Sequence, residues 1–306
     1  MTSKKTFFSA LLLLGAAFIW GVAFVAQSAG MRYIGPFTFT VVRCLLAAAF
    51  LFPCSFFFDR MNGPKETRPS VKAELRAGLL LGLLLFLAVN FQQIGIQYTT
   101  AGKAGFITSL YIVIVPVFGL FLKKRVHPVL WLCVLLALIG FYFLSVHEGF
   151  SVGLGDLLTL ICAFCFAVHI LTIDRYAARM NVVRLCCIQF FVTALLSVPF
   201  MCIFEEPDMG AILGAWLPLV YAGVLSGGVA YAMQMLGQRH IEPAAASLLC
   251  SPESVFAALA GGVLLHERMS PRELLGCALV FLAVVLSQLP WDRLLRRRGR
   301  AESCEE

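Results

Sequence analysis

The sequence predicts an all-α integral membrane protein in which ten transmembrane helices are built as two inverted five-helix repeats. Composition is the first of three observations that predict this fold. Of the 306 residues, 60% are hydrophobic and 13% are charged, and the mean hydropathy is +0.88. A soluble domain carries roughly 45–50% apolar and about 25% charged residues. The net charge of +7 comes mainly from short basic runs between apolar stretches, which indicates membrane topology rather than nucleic-acid binding.

Apolar runs of membrane-spanning length are the second observation, because a spanning helix needs about 20 mostly apolar residues. The predicted spans one to ten are residues 6–27, 35–58, 75–97, 101–122, 128–146, 153–174, 183–204, 212–236, 243–265 and 271–290. The first run exceeds the roughly 7–15 apolar residues of a signal peptide, so we expect an uncleaved helix. The connections are short except for the charged stretch 59–76.

The distribution of positive charge predicts the orientation. With both termini inside, nineteen of the 24 Lys and Arg residues lie on the inner side, four lie outside, and Arg43 lies within a span. This bias follows the positive-inside rule and predicts an N-in/C-in protein of the inner (cytoplasmic) membrane. Residues 293–306 then form a basic-then-acidic cytoplasmic tail.

Internal repetition is the third observation. Shifts of 143 to 146 residues superpose similar residues along the chain. The clearest pairs are Phe18 with Phe164, Gly21 with Ala167, Arg43 with Gln189, Gly78 with Gly223, and Gly82 with Gly227. We therefore predict a first repeat over 1–150 and a second over 151–292. Since five is an odd number, the second repeat enters the membrane inverted, as in many secondary transporters whose site lies near the midplane.

Ionisable groups inside the spans are candidate functional residues, because each costs roughly 2.5–3.5 kcal/mol to insert. Glu253, near the middle of span nine, is the strongest candidate for substrate binding or proton coupling; a structural partnership, for example with Arg43, is the alternative. His169 in span six could titrate near neutral pH or simply pack. For Arg43 in span two we favour a structural or gating role.

Two prolines and a set of neutral side chains complete the candidates. Pro116 and Pro252 each remove a helical hydrogen bond, which indicates a gating or structural role. Amides, hydroxyls and aromatic rings inside the spans could bind a polar solute, although the same groups also make interhelical hydrogen bonds. These candidates are Trp20, Asn90, Gln93, Ser109, Tyr111, Tyr231, Gln234 and Ser251.

Other functional classes find no support in the sequence. Most of the eleven Cys lie within apolar runs, where Cys behaves as a small hydrophobe. We find no catalytic cluster and no Walker motif, so we predict no enzyme activity, no catalytic residues, no metal and no cofactor.

Several motifs resemble the EamA family of the drug/metabolite transporter superfamily, ten-helix bacterial carriers. The resemblance covers about residues 6–290 and rests on Trp20-Gly21, Arg43, the stretch 99–108, Glu253 with the following residues 255–258, and Glu267-Arg268. His266 and Ser254 depart from the family pattern. The resemblance implies export of small metabolites or amino acids through a central cavity lined mainly by spans one, three, four, six, eight and nine. It also implies that span two is peripheral.

The sequence therefore predicts a secondary transporter that exports amino acids or related solutes by alternating access. A flippase for a lipid-linked intermediate is the alternative. The expected partners are a small-molecule substrate and the lipid bilayer, with no nucleic acid; protons are a candidate coupling ion, and facilitated diffusion is the alternative. The sequence leaves the oligomeric state open.

Overall fold

A computed structural model describes residues 2–62, 70–99, 101–122, 128–145, 153–264, 270–287 and 289. These described residues form helices and short connections, without a β-strand. The helices before residue 150 are α1 (Thr2–Gly30), α2 (Pro36–Asn62), α3 (Val71–Tyr98), α4 (Ala101–Ser109), α5 (Tyr111–Phe121) and α6 (Pro128–Ser145). The later ones are α7 (Leu154–Ala177), α8 (Val182–Phe204), α9 (Met209–Gly214), α10 (Trp216–Val220), a π-helical segment (Tyr221–Ala230), α11 (Tyr231–Gly237), α12 (Pro243–Cys250), α13 (Glu253–Leu264) and α14 (Pro271–Ser287).

Eight of the ten predicted spans meet the length and hydropathy of a membrane crossing within the described residues. Predicted spans five and ten correspond to α6 and α14, whose described apolar stretches, Pro128–Gly140 and Leu274–Ser287, are shorter. The protein is therefore an all-helical multi-pass membrane protein. The C-terminal tail over 293–306 and the motif residues His266, Glu267 and Arg268 lie outside the described residues.

Three predicted spans are not uniform α-helices. Span four is broken at Leu110 between α4 and α5, and span nine is broken at Ser251 and Pro252 between α12 and α13. Pro252 therefore lies at a break, whereas Pro116 lies inside the continuous helix α5. Span eight begins at Trp216 rather than at 212, after the separate short helix α9, and its centre is the π segment.

Side chains close several helix ends. The Glu205 carboxylate, just after α8, accepts hydrogen bonds from the backbone N–H groups of Phe37 and Thr38 at 2.8 and 2.7 Å. It also accepts from the Thr38 hydroxyl at 2.6 Å. A carboxylate satisfies the free N–H groups of a helix start and complements its dipole, so this contact fastens the start of α2 to the end of α8.

The paired glycines permit the close helix approach that their spacing predicts. A Cβ on Gly78 or Gly82 would lie 2.4 or 2.6 Å from side-chain atoms of α8. A Cβ on Gly223 or Gly227 would lie 2.7 or 2.8 Å from side-chain atoms of α2. Any larger residue at these positions would push the helices apart, because such separations are shorter than van der Waals contact.

The bundle contains two large apolar clusters. One joins parts of α1, α5, α6, α7 and α12 to α14, and the other joins α2, α3, α8, α11 and the end of α7. Trp20 and Phe166 pack against both clusters. Outside the bundle, Phe57, Phe121 and Ile203 expose 70%, 81% and 73% of their surface. Such a surface suits lipid rather than water.

Candidate functional site

A polar cavity lies inside the bundle, where Trp20 and Phe166 bridge the two apolar clusters. Its walls come from both halves of the chain. The lining residues are Trp20, Phe24, Gln27, Arg43, Val89, Gln92, Thr108, Tyr111, Phe166, Ile170, Phe190, Ala222, Ser226, Gly227, Tyr231, Gln234 and Glu253.

Glu253 supplies a carboxylate to this cavity. It is the first residue of α13, directly after the break in span nine, and only 4% of its surface is exposed. The Ser109 hydroxyl, at the end of α4, donates a hydrogen bond to Glu253 Oε1 at 3.3 Å. The Tyr111 phenol lies near the same carboxylate, without a hydrogen bond of good geometry. The two broken spans therefore meet at this acidic residue.

Gly21 fixes the distance between α1 and the start of α13. A Cβ at Gly21 would lie 2.4 Å from Phe256 Cβ, 2.7 Å from the Glu253 carbonyl oxygen and 2.9 Å from the Ala257 nitrogen. Two of these three atoms belong to the backbone and cannot turn aside. The Trp20-Gly21 pair thus places the indole in the cavity while α1 lies directly against the helix that carries Glu253.

Arg43 supplies a cation to the cavity from α2. Its exposed fraction is 7%, and its Nη1 donates to Gln27 Oε1 at 2.9 Å. Gln27 Nε2 donates to the carbonyl of Ala23 at 3.2 Å, which orients the amide oxygen toward the guanidinium. The Arg43 guanidinium carbon also lies 5.7 Å from the centre of the Phe39 ring, within the range of a cation–π contact.

Two donors of Arg43 remain unused. Nε and Nη2 are buried and have no hydrogen-bond partner among the described residues. No carboxylate of the described chain lies within ion-pair distance of Arg43, so the suggested structural pair with Glu253 does not form. Span two, which the resemblance places towards the periphery of the cavity, contributes Arg43 to the lining.

Aromatic rings form the wall opposite the breaks. The Tyr231 ring meets Trp20 and Phe190 edge to face, each at 5.0 Å between centroids, and lies 6.2 Å from His169. The Trp20 indole N–H donates to the Ser226 carbonyl in the π segment at 3.3 Å. π-helical turns are rare and are frequent at functional sites, and this one contributes three lining residues.

The structure brings six of the predicted site residues to the cavity. They are Trp20, Arg43, Tyr111, Tyr231, Gln234 and Glu253. Ser109 reaches it indirectly through its hydrogen bond to Glu253.

The other predicted residues do not line the cavity. Asn90 donates to the Ser197 hydroxyl at 2.9 Å and so joins α3 to α8. His169 Nε2 lies 3.0 Å from Gln189 Oε1, behind the aromatic wall. Gln93 is fully buried, and its amide has no partner within the described part of the chain.

Ser251 and Pro252 complete the break of span nine, and Pro116 packs within α5. Pro252 has no N–H to offer Leu248. The Leu248 carbonyl instead accepts from the Ser251 backbone N–H at 3.2 Å and from the Ser251 hydroxyl at 2.7 Å. The four residues Ser251, Pro252, Leu248 and Pro116 thus account for helix geometry rather than for cavity surface.

Sequence reasoning missed several polar lining residues, notably Gln27, Gln92, Thr108 and Ser226. Gln27, Gln92 and Thr108 are polar residues at or inside predicted spans, so the criterion used for Gln93 would also have found them. Nothing in the sequence marked the π segment, where the wider turn directs Ser226 to the cavity.

Ion pairs join helices near their ends. Lys103 of α4 pairs with Asp156 of α7 at 2.6 Å, and Arg184 of α8 pairs with Glu74 of α3 at 2.6 Å. Among the described residues, no group of three His, Cys, Asp or Glu side chains could hold a metal ion. No two of the described cysteines form a disulfide.

Membrane-length helices around an enclosed polar cavity define a multi-pass membrane protein of the carrier class. The chain belongs to the EamA-like transporter family, whose sequence profile matches it twice, over residues 7–146 and 153–289. It is 32% identical over 286 residues to an uncharacterized transporter of Archaeoglobus fulgidus, covering 93% of this chain and 87% of that protein.

Two further comparisons extend this result. The chain is 28% identical over 290 residues to the threonine/homoserine exporter RhtA of Escherichia coli strain K12, with 91% of this chain and 90% of that protein covered. A solved crystal structure superposes with a TM-score of 0.76 at 20% identity, covering 94% and 98% of the two chains. At that identity the structure shows the fold alone. The family and its relatives indicate a small-molecule transporter rather than an enzyme.

Proposed function

We propose that the protein is a secondary transporter that exports amino acids or related small metabolites by alternating access through the central cavity. The observation that carries this proposal is a single cavity lined by both an acidic residue, Glu253, and a basic residue, Arg43, inside a transporter of the EamA-like family. Buried ionisable groups are costly in a membrane, so a site that solvates them with substrate explains both.

Ten crossings in two inverted repeats are part of the proposal, with a first repeat over 1–150 and a second over 151–292. The double match of the family profile supports it. Helix packing supports it as well. When two spans pack against each other, the corresponding spans of the opposite repeat, five places away in span number, also pack against each other. Span three (α3) packs against span six (α7), and span eight packs against span one (α1). Likewise span three packs against span seven (α8), and the π segment of span eight packs against span two (α2).

The remaining major contacts follow the same rule. α1 packs against α13 as α7 packs against α4 and α5, while α2 with α8, α6 with α14, and span four with span nine each map onto themselves. A twofold relation between inverted halves generates this pattern. Such halves can exchange two equivalent packings and so open the central site to either side.

The proposed orientation places both termini in the cytoplasm, with the protein in the inner membrane and residues 293–306 as a cytoplasmic tail. The bias of Lys and Arg along the sequence supports it. In this orientation the pair Lys103–Asp156 is external and the pair Arg184–Glu74 is internal. The two ion pairs then lie on opposite faces of the bundle, where alternating access requires contacts that open in turn.

Amino acids are the proposed substrates because RhtA, a relative over nearly the whole chain, is named as a threonine/homoserine exporter. Glu253 is also the proposed site of proton coupling, since its carboxylate is enclosed between Ser109 and Tyr111 inside the cavity. The flippase alternative receives no support from the relatives reported above.

Transport by the reconstituted full-length protein tests the proposal. Liposomes containing the chain are loaded with unlabelled solute and mixed with the same solute in radiolabelled form, using L-threonine, L-homoserine, L-phenylalanine and a panel of other small metabolites. A transporter gives saturable, transient accumulation of label above that of protein-free liposomes. Equal accumulation in both preparations for every solute would contradict the transport proposal.

A further inference from the structure

We propose that Arg43 and Glu253 are the two poles of a site for the zwitterionic group of a neutral α-amino acid. Arg43 holds the α-carboxylate and Glu253 holds the α-ammonium group, while the aromatic wall receives the side chain. This inference rests on the proposed function, because it assigns a substrate class to the same cavity. It also gives Arg43 a binding role in place of the structural or gating role that its sequence position suggested.

The free edge of Arg43 has the geometry that a carboxylate requires. Gln27 occupies Nη1, which leaves Nε and Nη2 without a partner. These two nitrogens form one edge of the planar guanidinium, and their N–H groups point in parallel. A carboxylate accepts two such parallel hydrogen bonds at once. The described chain therefore orients Arg43 and leaves its bidentate edge open.

Burial makes this open edge costly without a ligand. A buried charged donor that lacks its partner loses hydration without compensation. The contacts that Arg43 does make, with Gln27 and with the Phe39 ring, engage one nitrogen and one face of the guanidinium. An α-carboxylate would supply both missing acceptors and the missing negative charge.

The opposite pole has matching acceptors for an ammonium group. Glu253 accepts one hydrogen bond, from Ser109, and a carboxylate can accept several more. Gln234 Oε1 and the Tyr111 hydroxyl also line the cavity and have no hydrogen-bond partner in the described residues. An ammonium group has three donors, and the Glu253 carboxylate with the Tyr111 hydroxyl beside it offers oxygen acceptors for them.

The rest of the cavity selects a neutral side chain. Six aromatic residues line it, namely Trp20, Phe24, Tyr111, Phe166, Phe190 and Tyr231. Among the described lining residues, Arg43 supplies the basic side chain and Glu253 supplies the acidic one. With both charges engaged by the zwitterion, a charged substrate side chain would be desolvated against aromatic rings without a counter-ion.

Matched ligands that lack one charge test the inference directly. The full-length protein is placed in lipid nanodiscs, and the Kd is measured for L-phenylalanine, for phenethylamine, which lacks the carboxylate, and for 3-phenylpropanoate, which lacks the ammonium group. The same comparison is made with L-threonine, 1-amino-2-propanol and 3-hydroxybutanoate. We expect at least one amino acid to bind about tenfold or more tightly than both of its analogues, since each analogue loses the charged hydrogen bonds at one pole.

Two substitutions should give a crossed pattern. Arg43→Gln should remove the advantage of the amino acid over the amine while leaving amine binding unchanged. Glu253→Gln should remove its advantage over the carboxylic acid while leaving acid binding unchanged. A general folding defect weakens all ligands together, so it cannot produce this crossing. Arg32→Gln and Glu206→Gln, the same changes at exposed residues, serve as matched controls and should retain wild-type binding.

Three results would overturn the inference. In the first, neither amino acid binds more tightly than its analogues. In the second, Arg43→Gln or Glu253→Gln changes the affinities of all three ligands by the same factor. In the third, the liposomes accumulate a different metabolite but neither amino acid, which overturns the zwitterion site while the transport function stands. Failure of every solute in the liposome assay would instead count against the proposed function itself.

Discussion

Arg43 and Gln189 occupy corresponding positions in the two ranges that match the family profile, since a shift of 146 residues superposes them. Both are buried, and each contacts a polar side chain of the helix before it. Arg43 is hydrogen-bonded to Gln27 and lines the cavity. Gln189 lies 3.0 Å from His169 and does not line it. The first range thus supplies a cation where the second supplies a glutamine in contact with a histidine.

The broken spans show the converse difference. Span four is broken at Leu110, and a shift of 143 residues superposes Leu110 on Glu253 at the break of span nine. Here the second range supplies an anion where the first supplies a hydrocarbon side chain. Two similar folds therefore contribute one charge each, of opposite sign, to a shared cavity. The two ranges match one family profile, and the differences between them supply the two charges of the cavity.

The largest expected loss of stability comes from placing an arginine at the corresponding position of the second range. Gln189→Arg would bury a guanidinium beside His169, outside the cavity lining, where no described carboxylate is hydrogen-bonded to residue 189. Uncompensated buried charges typically destabilise a protein by about 3–5 kcal/mol. We expect the largest fall in apparent Tm in detergent for this variant.

Gln189→Met is the matched control, because it removes the amide without adding charge and should cost about 1 kcal/mol. Arg43→Gln should lower the Tm by less than Gln189→Arg, since it removes two unpartnered donors from the interior. If Gln189→Arg proved as stable as Gln189→Met, residue 189 would tolerate a cation as residue 43 does. The proposed difference between the two ranges would then be wrong.

A smaller loss of stability is expected at a position where α1 has glycine and α7 has alanine. Gly21 corresponds to Ala167 under the 146-residue shift, yet an alanine Cβ at position 21 would lie 2.7 Å from the Glu253 carbonyl oxygen. Such overpacking typically costs about 1–3 kcal/mol. Gly21→Ala should therefore lower the apparent Tm, and it should also weaken amino-acid binding because α13 carries Glu253.

Gly105→Ala provides the control on the other helix that contacts α13. Its Cβ would lie 3.6 Å from the nearest atom, Ser254 Cα, which is ordinary contact. Since alanine is the better helix former by about 1 kcal/mol, this variant should equal or exceed the wild-type Tm. A Gly21→Ala protein that matched Gly105→Ala in both stability and binding would show that α1 can move without disturbing Glu253.

The sequence predicted the helices well and the cavity less completely, for physical reasons. Spans are readable because about 20 apolar residues are required wherever a helix crosses the bilayer, and the predicted ends agree with most helices to within a few residues. The break at Leu110 was not predicted, because no proline marks it. Charged residues stood out by their insertion cost, which led to Glu253 and Arg43, whereas Asn90 and Gln92 share one helix and differ in the direction they face.

The smallest predicted effect separates the two serines beside the breaks. Ser109 ends α4 and donates to Glu253, whereas Ser251 follows α12 and donates to the carbonyl of Leu248 at 2.7 Å. Each hydrogen bond contributes about 1 kcal/mol, but the two contributions should appear in different measurements. Ser109→Ala should weaken amino-acid binding about fivefold, the equivalent of that energy, with little change in Tm, because it removes a group that orients the carboxylate. Ser251→Ala should lower the Tm slightly and leave the Kd unchanged, because it removes one of the two hydrogen bonds that the Leu248 carbonyl accepts at the break. Measuring both Kd and Tm for the two variants checks the assignment, and equal losses of affinity would place both serines in the same role and remove the distinction between the breaks.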